Sequence, residues 1–254
     1  MYFIDKRIQV ICDELRRERI RDRSAMGCWS YKKGLYFRPE EAEADTANPW
    51  EHFDCAHMHW YGPDEHYWFR ADLTVPQEFA GRSVWMNVRT QIDEYDDGKN
   101  PQFLLFVNGE VEQGLDMNHR EVRLTERAAG GETFRIDMQA YTGTLYSEFN
   151  LIVELYWLDE EVDGLYYDLQ VPLWAFPRMD EDDKNRLDIQ TVLNDAVNRL
   201  DLRRPYSPEY YAGVAAARAL LEERLYKGMG GWHDVVATCI GHTHIDVAWW
   251  WTVA

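Results

Sequence analysis

Three side chains near residue 244 have the types and the spacing of a metal site. His242, His244 and Asp246 follow Gly241 and the apolar run 235–240. Imidazole nitrogens and carboxylate oxygens are good ligands for a divalent ion such as Zn²⁺, and alternate residues of an extended segment point to the same side. His244 and Asp246 can therefore reach one ion. A helix N-cap with hydrogen-bonded histidines is the alternative interpretation of the triplet.

The run 235–240 is the element that would position these side chains. It is continuously apolar and bounded by polar residues, which is typical of a strand buried on both faces in a parallel sheet or an α/β barrel. Ligands and catalytic groups collect at the carboxyl ends of such strands. Trp249 and the two tryptophans after it offer flat apolar rings on which a sugar can stack.

The segment GHTHIDVAW at 241–249 resembles the first-strand motif of the glycoside hydrolase family 38 α-mannosidases, His-x-His-x-Asp-x-x-Trp. Residues 105–122 are similar to the β-rich N-terminal domain of the bacterial and cytosolic-type members. The resemblance implies retaining hydrolysis of α-mannosides with a divalent ion, usually zinc, as cofactor. It also implies that His244 and Asp246 bind the metal, that Trp249 stacks beneath the sugar and that His242 supports the ligands.

The resemblance further implies that this chain is the N-terminal portion of such an enzyme. In the family, three kinds of group lie far beyond this motif in the sequence: the nucleophile, the remaining metal ligands and the acid/base carboxylate. This sequence stops at Ala254. Two protein ligands do not make a tight zinc site. We therefore expect the chain to be inactive alone, with the remainder of the catalytic barrel as its partner. Its unpaired barrel strand would be exposed or would pair with a second copy of the chain.

Several short apolar or alternating runs predict β-strands in the first two thirds of the chain. They are separated by Gly, Pro, Asn and Asp, and Asn108-Gly109 is a strong signal of a two-residue hairpin. Strands of this length with frequent turns are typical of a β-sandwich. The predicted strands cover 67–73, 83–88, 103–107, 132–138 and 149–155.

Helical periodicity flanks these strands on both sides. Ile4, Ile8, Ile11 and Leu15 recur at helical spacing, a second apolar face spans 187–200, and a third helix is predicted over 207–227. We therefore expect a mixed, mainly β fold. Its expected parts are an N-terminal helix in 1–24, a β-sandwich domain in 25–178, a helical linker in 179–231 and the start of an incomplete α/β barrel in 232–254.

Two other groups of residues are candidate ligand sites. Asp116, Asn118 and His119 follow the predicted hairpin and form either a hydrogen-bonded turn or a loop that reaches a sugar cleft. The histidines at 52, 57, 59 and 66 gather metal donors, but their spacing matches no known ligand pattern, and the aromatic residues around them indicate the polar edge of a packed strand.

Composition restricts the partners and the location. The formal net charge of −18 disfavours binding to nucleic acid and to anionic membranes, whereas a neutral or cationic substrate is compatible with it. The four cysteines show no CxxC spacing, and the first residues lack the apolar core of a signal peptide. We therefore expect free thiols and a cytoplasmic protein.

Two further functions are compatible with these patterns. The start of an amidohydrolase-like metal barrel would also place His-x-His after a first strand, although Asp246 and Trp249 favour the sugar enzyme. The predicted sandwich could instead be a carbohydrate-binding or scaffolding module without catalysis.

Overall fold

The computed structural model describes residues 2–91, 101–229 and 238–240 of the chain. The described residues divide into two compact units, one formed by residues 2–21 with the described residues from 158 onward and the other by the described residues of 22–157. We call them the helical unit and the sandwich unit. The fold is mixed and mainly β, as predicted, and its sheets are open.

Twelve strands are defined in the described residues. They are β1 (Ile20–Ala25), β2 (Cys28–Lys33), β3 (Glu51–Asp54), β4 (Trp60–Gly62), β5 (His66–Thr74), β6 (Ser83–Arg89), β7 (Gln102–Val107), β8 (Glu110–Leu115), β9 (Glu121–Thr125), β10 (Thr133–Tyr141), β11 (Ser147–Phe149) and β12 (Ile152–Leu158). The helices are α1 (Tyr2–Glu18), α2 (Pro39–Ala44), α3 (Glu160–Ala175), α4 (Lys184–Val197) and α5 (Pro208–Leu221), and a π-helical turn at Glu222–Tyr226 continues α5.

The sandwich unit contains a six-stranded sheet and a four-stranded sheet that share one core. Their strand orders are β3-β2-β5-β10-β7-β8 and β1-β12-β6-β9, and β11 pairs with β4 in a small third sheet. Phe69 and Met138 of the larger sheet and Met86 and Val153 of the smaller sheet belong to the same cluster of buried side chains. Burial of these apolar faces is the main stabilising contribution to a two-sheet structure.

The outer face of the six-stranded sheet is covered in part by α2. Trp68 and Phe106 are buried there against Ala42 of the helix. Lys32 is also buried, and its Nζ donates hydrogen bonds to the carbonyl oxygens of Ala42 and Asp45 at 2.7 and 2.8 Å. The ammonium group thus satisfies carbonyls at the C-terminus of a short helix, where a positive charge is favoured.

The helical unit has a separate core, formed by α1, α3, α4 and α5. Ile8 and Leu15 of α1 pack in one buried cluster with Leu165 of α3, Leu193 of α4 and Val214 of α5. Helices α1 and α5 lie where helices are predicted, in 1–24 and over 207–227, and Ser207 caps α5 through a hydrogen bond from the Tyr210 amide, as its position before Pro208 predicts. None of the helices in the described ranges combines the length and the apolar character that crossing a bilayer requires.

Three parts of the fold differ from the sequence prediction. The N-terminal helix ends at Glu18, and β1 begins at Ile20 within the range 1–24 assigned to the helix. Helix α3 lies within the range 25–178 assigned to the sandwich, where no helix was expected. The predicted strand 149–155 is two strands, because the backbone of Asn150 is held by side chains. Its amide donates to Gln91 Oε1 at 2.6 Å, and its carbonyl accepts a hydrogen bond from Trp60 Nε1 at 3.2 Å.

Candidate functional site

The predicted metal and sugar residues His242, His244, Asp246 and Trp249 lie outside the described residues, so their roles stay predictions. Residues 238–240, which end the predicted barrel strand, are described. They are exposed, with Ile240 81% accessible, and belong to no helix or strand. No strand is formed at 238–240, and the exposure of these residues agrees with what is expected of a barrel strand without its neighbours. Burial of an apolar strand on both faces requires neighbouring elements, and no described strand pairs with this segment.

The second candidate, the loop at 116–119, is a compact hydrogen-bonded turn between β8 and β9. Asp116 Oδ1 accepts hydrogen bonds from the amides of Asn118 and His119, both at 2.7 Å, and lies 3.1 Å from Nδ1 of His119. The loop is closed by a hydrogen bond from the Asp116 amide to the His119 carbonyl oxygen. This arrangement fits the interpretation as a turn, in which an aspartate satisfies the backbone two and three residues later.

The electrostatics of the loop keep Asp116 charged. Partial burial opposes ionisation, but the hydrogen bonds from His119 and Asn118 outweigh it and hold the pKa of Asp116 below its usual range. All three donors reach Oδ1. Oδ2 accepts no hydrogen bond from the described residues.

The cavity beside this loop is too small for a sugar ring. Asp116, Met117 and Arg120 line it together with Val88 and Phe103, and its volume is about 10 Å³. That volume holds roughly one water molecule. The described part of the loop therefore forms a surface that a ligand can contact and not an enclosed pocket.

The histidines at 52–66 are not brought together as a metal site. His57 Nδ1 lies 2.7 Å from Asp54 Oδ2, His59 Nδ1 lies 3.9 Å from Glu148 Oε1, and the ring of His66 stacks on Tyr141 with centroids 5.0 Å apart. Within the described ranges, no group of three or more His, Cys, Asp or Glu side chains could hold a metal ion. Each of these three histidines instead has its own neighbour at the edge of the sandwich.

An exposed aromatic patch is the feature that the sequence prediction missed. Tyr61 of β4 and Tyr146, just before β11, have ring centroids 6.4 Å apart. Glu148 lies directly opposite Tyr61 in the antiparallel β4–β11 pair, and His59 adjoins Glu148. In the sequence, the order Trp60, Tyr61, Gly62 is only a weak indication that Tyr61 faces outward. Tyr61 is far from Tyr146 and Glu148 along the chain, so the sequence does not show that these residues meet.

No protein-family model matches the chain. Among curated proteins, it is similar to Alpha-mannosidase 2C1 of Mus musculus, with 25% identity over 203 residues, and to Alpha-mannosidase 2C1 of Homo sapiens, with 26% identity over 204 residues. Each match covers 72% of this chain.

This chain contains a region similar to the family 38 α-mannosidases. The resemblance inferred from the motifs at 241–249 and 105–122 is therefore confirmed at the level of the family. The chain spans 18% of the length of the curated relatives that it matches.

Solved glycoside hydrolase structures also resemble this chain in part. A β-glucuronidase from Ruminococcus gnavus in complex with uronic deoxynojirimycin matches with a TM-score of 0.33 and 10% identity, covering 55% of this chain and 29% of that one. The same enzyme with D-glucuronic acid matches with a TM-score of 0.34 and 8% identity, covering 55% and 30%.

Proposed function

We propose that this chain is the N-terminal portion of a metal-dependent retaining α-mannosidase that hydrolyses α-mannosides. The observation that carries the proposal is the similarity to two mammalian α-mannosidases over 72% of the chain. The motif at 241–249 supports it independently, because a histidine, a carboxylate and an indole at this spacing suit a metal and a sugar ring. The four free cysteines support a cytoplasmic location.

His244 and Asp246 are the side chains proposed to hold the metal ion. An imidazole and a carboxylate suit Zn²⁺ chemically, but a tight zinc site uses three or four protein ligands. We therefore propose that further ligands come from the remainder of the catalytic barrel, which also explains the expected inactivity of the chain alone. When bound, the ion supplies Lewis-acid polarisation of the sugar hydroxyls that contact it.

The remaining proposed roles belong to three groups of this chain. The indole of Trp249 binds the apolar C–H face of the mannose ring and excludes water from that face. His242 orients a metal ligand by a hydrogen bond, as residues behind metal ligands commonly do. Oδ2 of Asp116 accepts a hydrogen bond from a hydroxyl of the bound saccharide, while Oδ1 keeps the loop closed.

Activity on an aryl α-mannoside tests this proposal. The protein from the full reading frame that contains this chain is assayed as purified, after removal of metal by a chelator, and after readdition of zinc. We expect activity that depends on the metal. In Asp246→Ala, kcat/KM should fall by roughly a thousandfold, because Lewis-acid stabilisation contributes several kcal/mol.

The control for this assay is Asp72→Ala, which removes an exposed carboxylate in β5. Its kcat/KM and its metal content, measured by mass spectrometry, should match the wild type. The 254-residue chain should show no turnover. Absence of α-mannosidase activity in the full-length, zinc-loaded protein would contradict the proposal, as would activity that persists without metal.

A further inference from the structure

The exposed side chains around Tyr61 lie together in one surface patch. Tyr61 is 51% exposed and Tyr146 is 62% exposed, and their rings contact each other at an angle of 44°. Leu145 is also exposed beside them in the chain. Glu148 and His59 border the rings with polar groups. We call these five residues the tyrosine platform.

The backbone beneath the platform is anchored to the sandwich core. Trp60 and Phe149 flank Tyr61 and Glu148 on the inner face, where both are buried with ring centroids 4.7 Å apart. The carbonyl oxygen of Tyr61 accepts a hydrogen bond from the Tyr67 hydroxyl at 2.8 Å. The carbonyl oxygen of Glu148 accepts one from Gln91 Nε2 at 2.5 Å. The backbone that carries Tyr61 and Glu148 is thus held in place, which lowers the entropic cost of binding.

The chemistry of the platform matches a saccharide. Exposed aromatic rings on a fixed surface indicate a binding site, because water solvates their faces poorly. A pyranose has an apolar C–H face that can stack on Tyr61 or Tyr146 and hydroxyl groups at its edge. The carboxylate of Glu148, opposite Tyr61, and the imidazole of His59, 3.9 Å from that carboxylate, are groups that can form hydrogen bonds with such hydroxyls.

Charge and shape argue against other small ligands. The net charge of −18 and the Glu148 carboxylate repel anions. A cation such as a quaternary ammonium is held by several rings that surround it, whereas the two tyrosine rings tilted at 44° form an open surface. A neutral sugar is the class that uses both the apolar faces and the polar border.

We infer that the tyrosine platform is a surface binding site for a neutral oligosaccharide. Its binding uses ring stacking and hydrogen bonds from the sandwich unit and needs no metal ion. Binding at the platform does not depend on the proposed hydrolysis. It adds to the proposed function, because a surface that retains a glycan raises the local concentration of substrate.

Isothermal titration calorimetry of the 254-residue chain tests the site, with an α-linked mannohexaose and cellohexaose as probes. We expect saturable binding of at least one probe. Tyr61→Ala and Tyr146→Ala should each weaken it by about tenfold, as expected for the loss of one stacked ring. Glu148→Gln, which keeps a hydrogen-bond acceptor, should weaken it less than Glu148→Ala. Circular dichroism checks the fold of each variant. If Tyr61→Ala fails to fold, Tyr146→Ala still tests the site, because Tyr146 lies outside the strands.

Two controls separate this site from the proposed metal site and from general effects of exposed tyrosines. Tyr167→Ala removes an exposed tyrosine of α3 and should leave binding unchanged. His244→Ala and the addition of chelator should also leave it unchanged, so that loss of the proposed catalysis does not affect this result.

Three outcomes would overturn the inference. One is the absence of binding to both probes at roughly 10 mM. Another is binding that Tyr61→Ala and Tyr146→Ala both leave intact. The last is tyrosine-dependent binding of choline in place of either saccharide, which would assign the platform to cations.

Discussion

Asp137 is a buried carboxylate that depends on its neighbours for charge compensation. It is 2% exposed in β10, and its oxygens lie 2.5 Å from Arg70 Nε and 3.4 Å from Arg135 Nε. Removing one partner of a buried ion pair leaves the other charge poorly solvated. Asp137→Ala should therefore lower the free energy of unfolding in urea by roughly 3 kcal/mol.

Asp72 provides the matched control for Asp137. It pairs across the strands with Arg135, but its side chain is 67% exposed and 3.9 Å from the guanidinium. Asp72→Ala should change the free energy of unfolding by less than about 0.5 kcal/mol, because exposed ion pairs contribute little. Equal effects of the two variants would show that burial does not govern these carboxylates.

The titration of Asp116 tests the geometry of the loop at 116–119. Its pKa in the folded protein is below the usual value of about 3.9, so its ionised form stabilises the fold above that pH. This contribution is lost as the pH falls through the lowered pKa. Carboxyl NMR titration should show a raised pKa in His119→Ala, which removes a ring donor. Asn118→Ala keeps its backbone donor and should leave the pKa low; a rise equal to that of His119→Ala would contradict this geometry.

The β7–β8 hairpin depends on the backbone of Asn108 and Gly109. Their φ angles are 53° and 88°, and the register Val107↔Glu110 leaves two residues in the turn. A Cβ at Gly109 would meet no atom within 4 Å, so Gly109→Ala isolates the backbone strain. We expect a loss of about 1 to 2 kcal/mol in the free energy of unfolding, measured with urea.

Gly114→Ala in the same hairpin is the control for Gly109→Ala. Gly114 has no positive φ, and its Cβ would make only an ordinary contact 3.9 Å from the Phe103 carbonyl oxygen. This variant should be close to neutral. A cost equal to that of Gly109→Ala would contradict the assignment of strain to the turn.

Asp159 accepts two hydrogen bonds at the start of helix α3. Oδ1 accepts from the Val162 amide at 3.3 Å, and Oδ2 accepts from the Tyr211 hydroxyl at 2.6 Å. Burial and Asp159 together raise the pKa of Tyr211 to about 12, so the donor stays protonated. Asp159→Ala should cost roughly 2 to 4 kcal/mol in the free energy of unfolding, because a cap and a hydrogen bond to a charge are both lost.

Ser207→Ala is the comparison for Asp159→Ala, because it removes a helix cap alone. Ser207 caps α5 through the Tyr210 amide, so its loss should cost about 1 kcal/mol. Asp159→Asn, which keeps a capping oxygen, should lie between the two alanine variants. If Asp159→Ala costs no more than Ser207→Ala, the hydrogen bond from Tyr211 contributes nothing.

Elements with their own periodic apolar pattern could be predicted from the sequence. Strands β5, β6, β7 and β10 and helices α1 and α5 were found because their apolar residues repeat with the period of the element. Strand β8 is largely polar and exposed, and it is specified by the Asn108-Gly109 turn and by its pairing with β7. Helix α3 had a usable signal, since Asp159 precedes Glu160, Glu161 and Asp163 in the first turn.

The candidate sites differ in how far the sequence could predict them. The motif at His242, His244, Asp246 and Trp249 is local, so its residue types and spacing can be recognised without a fold. The loop at 116–119 was recognised for the same reason. The tyrosine platform could not be, because the pairing of β4 with β11 brings Tyr61 beside Tyr146 and Glu148.

The whole molecule combines two units, each with its own buried core, and a surface with net charge −18. Its similarity to α-mannosidases extends over 72% of the chain, while the chain spans 18% of those relatives. The proposed enzyme therefore needs groups from the remainder of the catalytic barrel, and the metal ion is where the two sets of ligands would meet.

The most direct measurement of the central claim is anomalous X-ray scattering at the zinc edge from crystals of the full-length protein. We expect one zinc ion in direct contact with the side chains of His244 and Asp246, and its loss in Asp246→Ala. A folded, zinc-loaded protein in which no ion contacts these two side chains would contradict it.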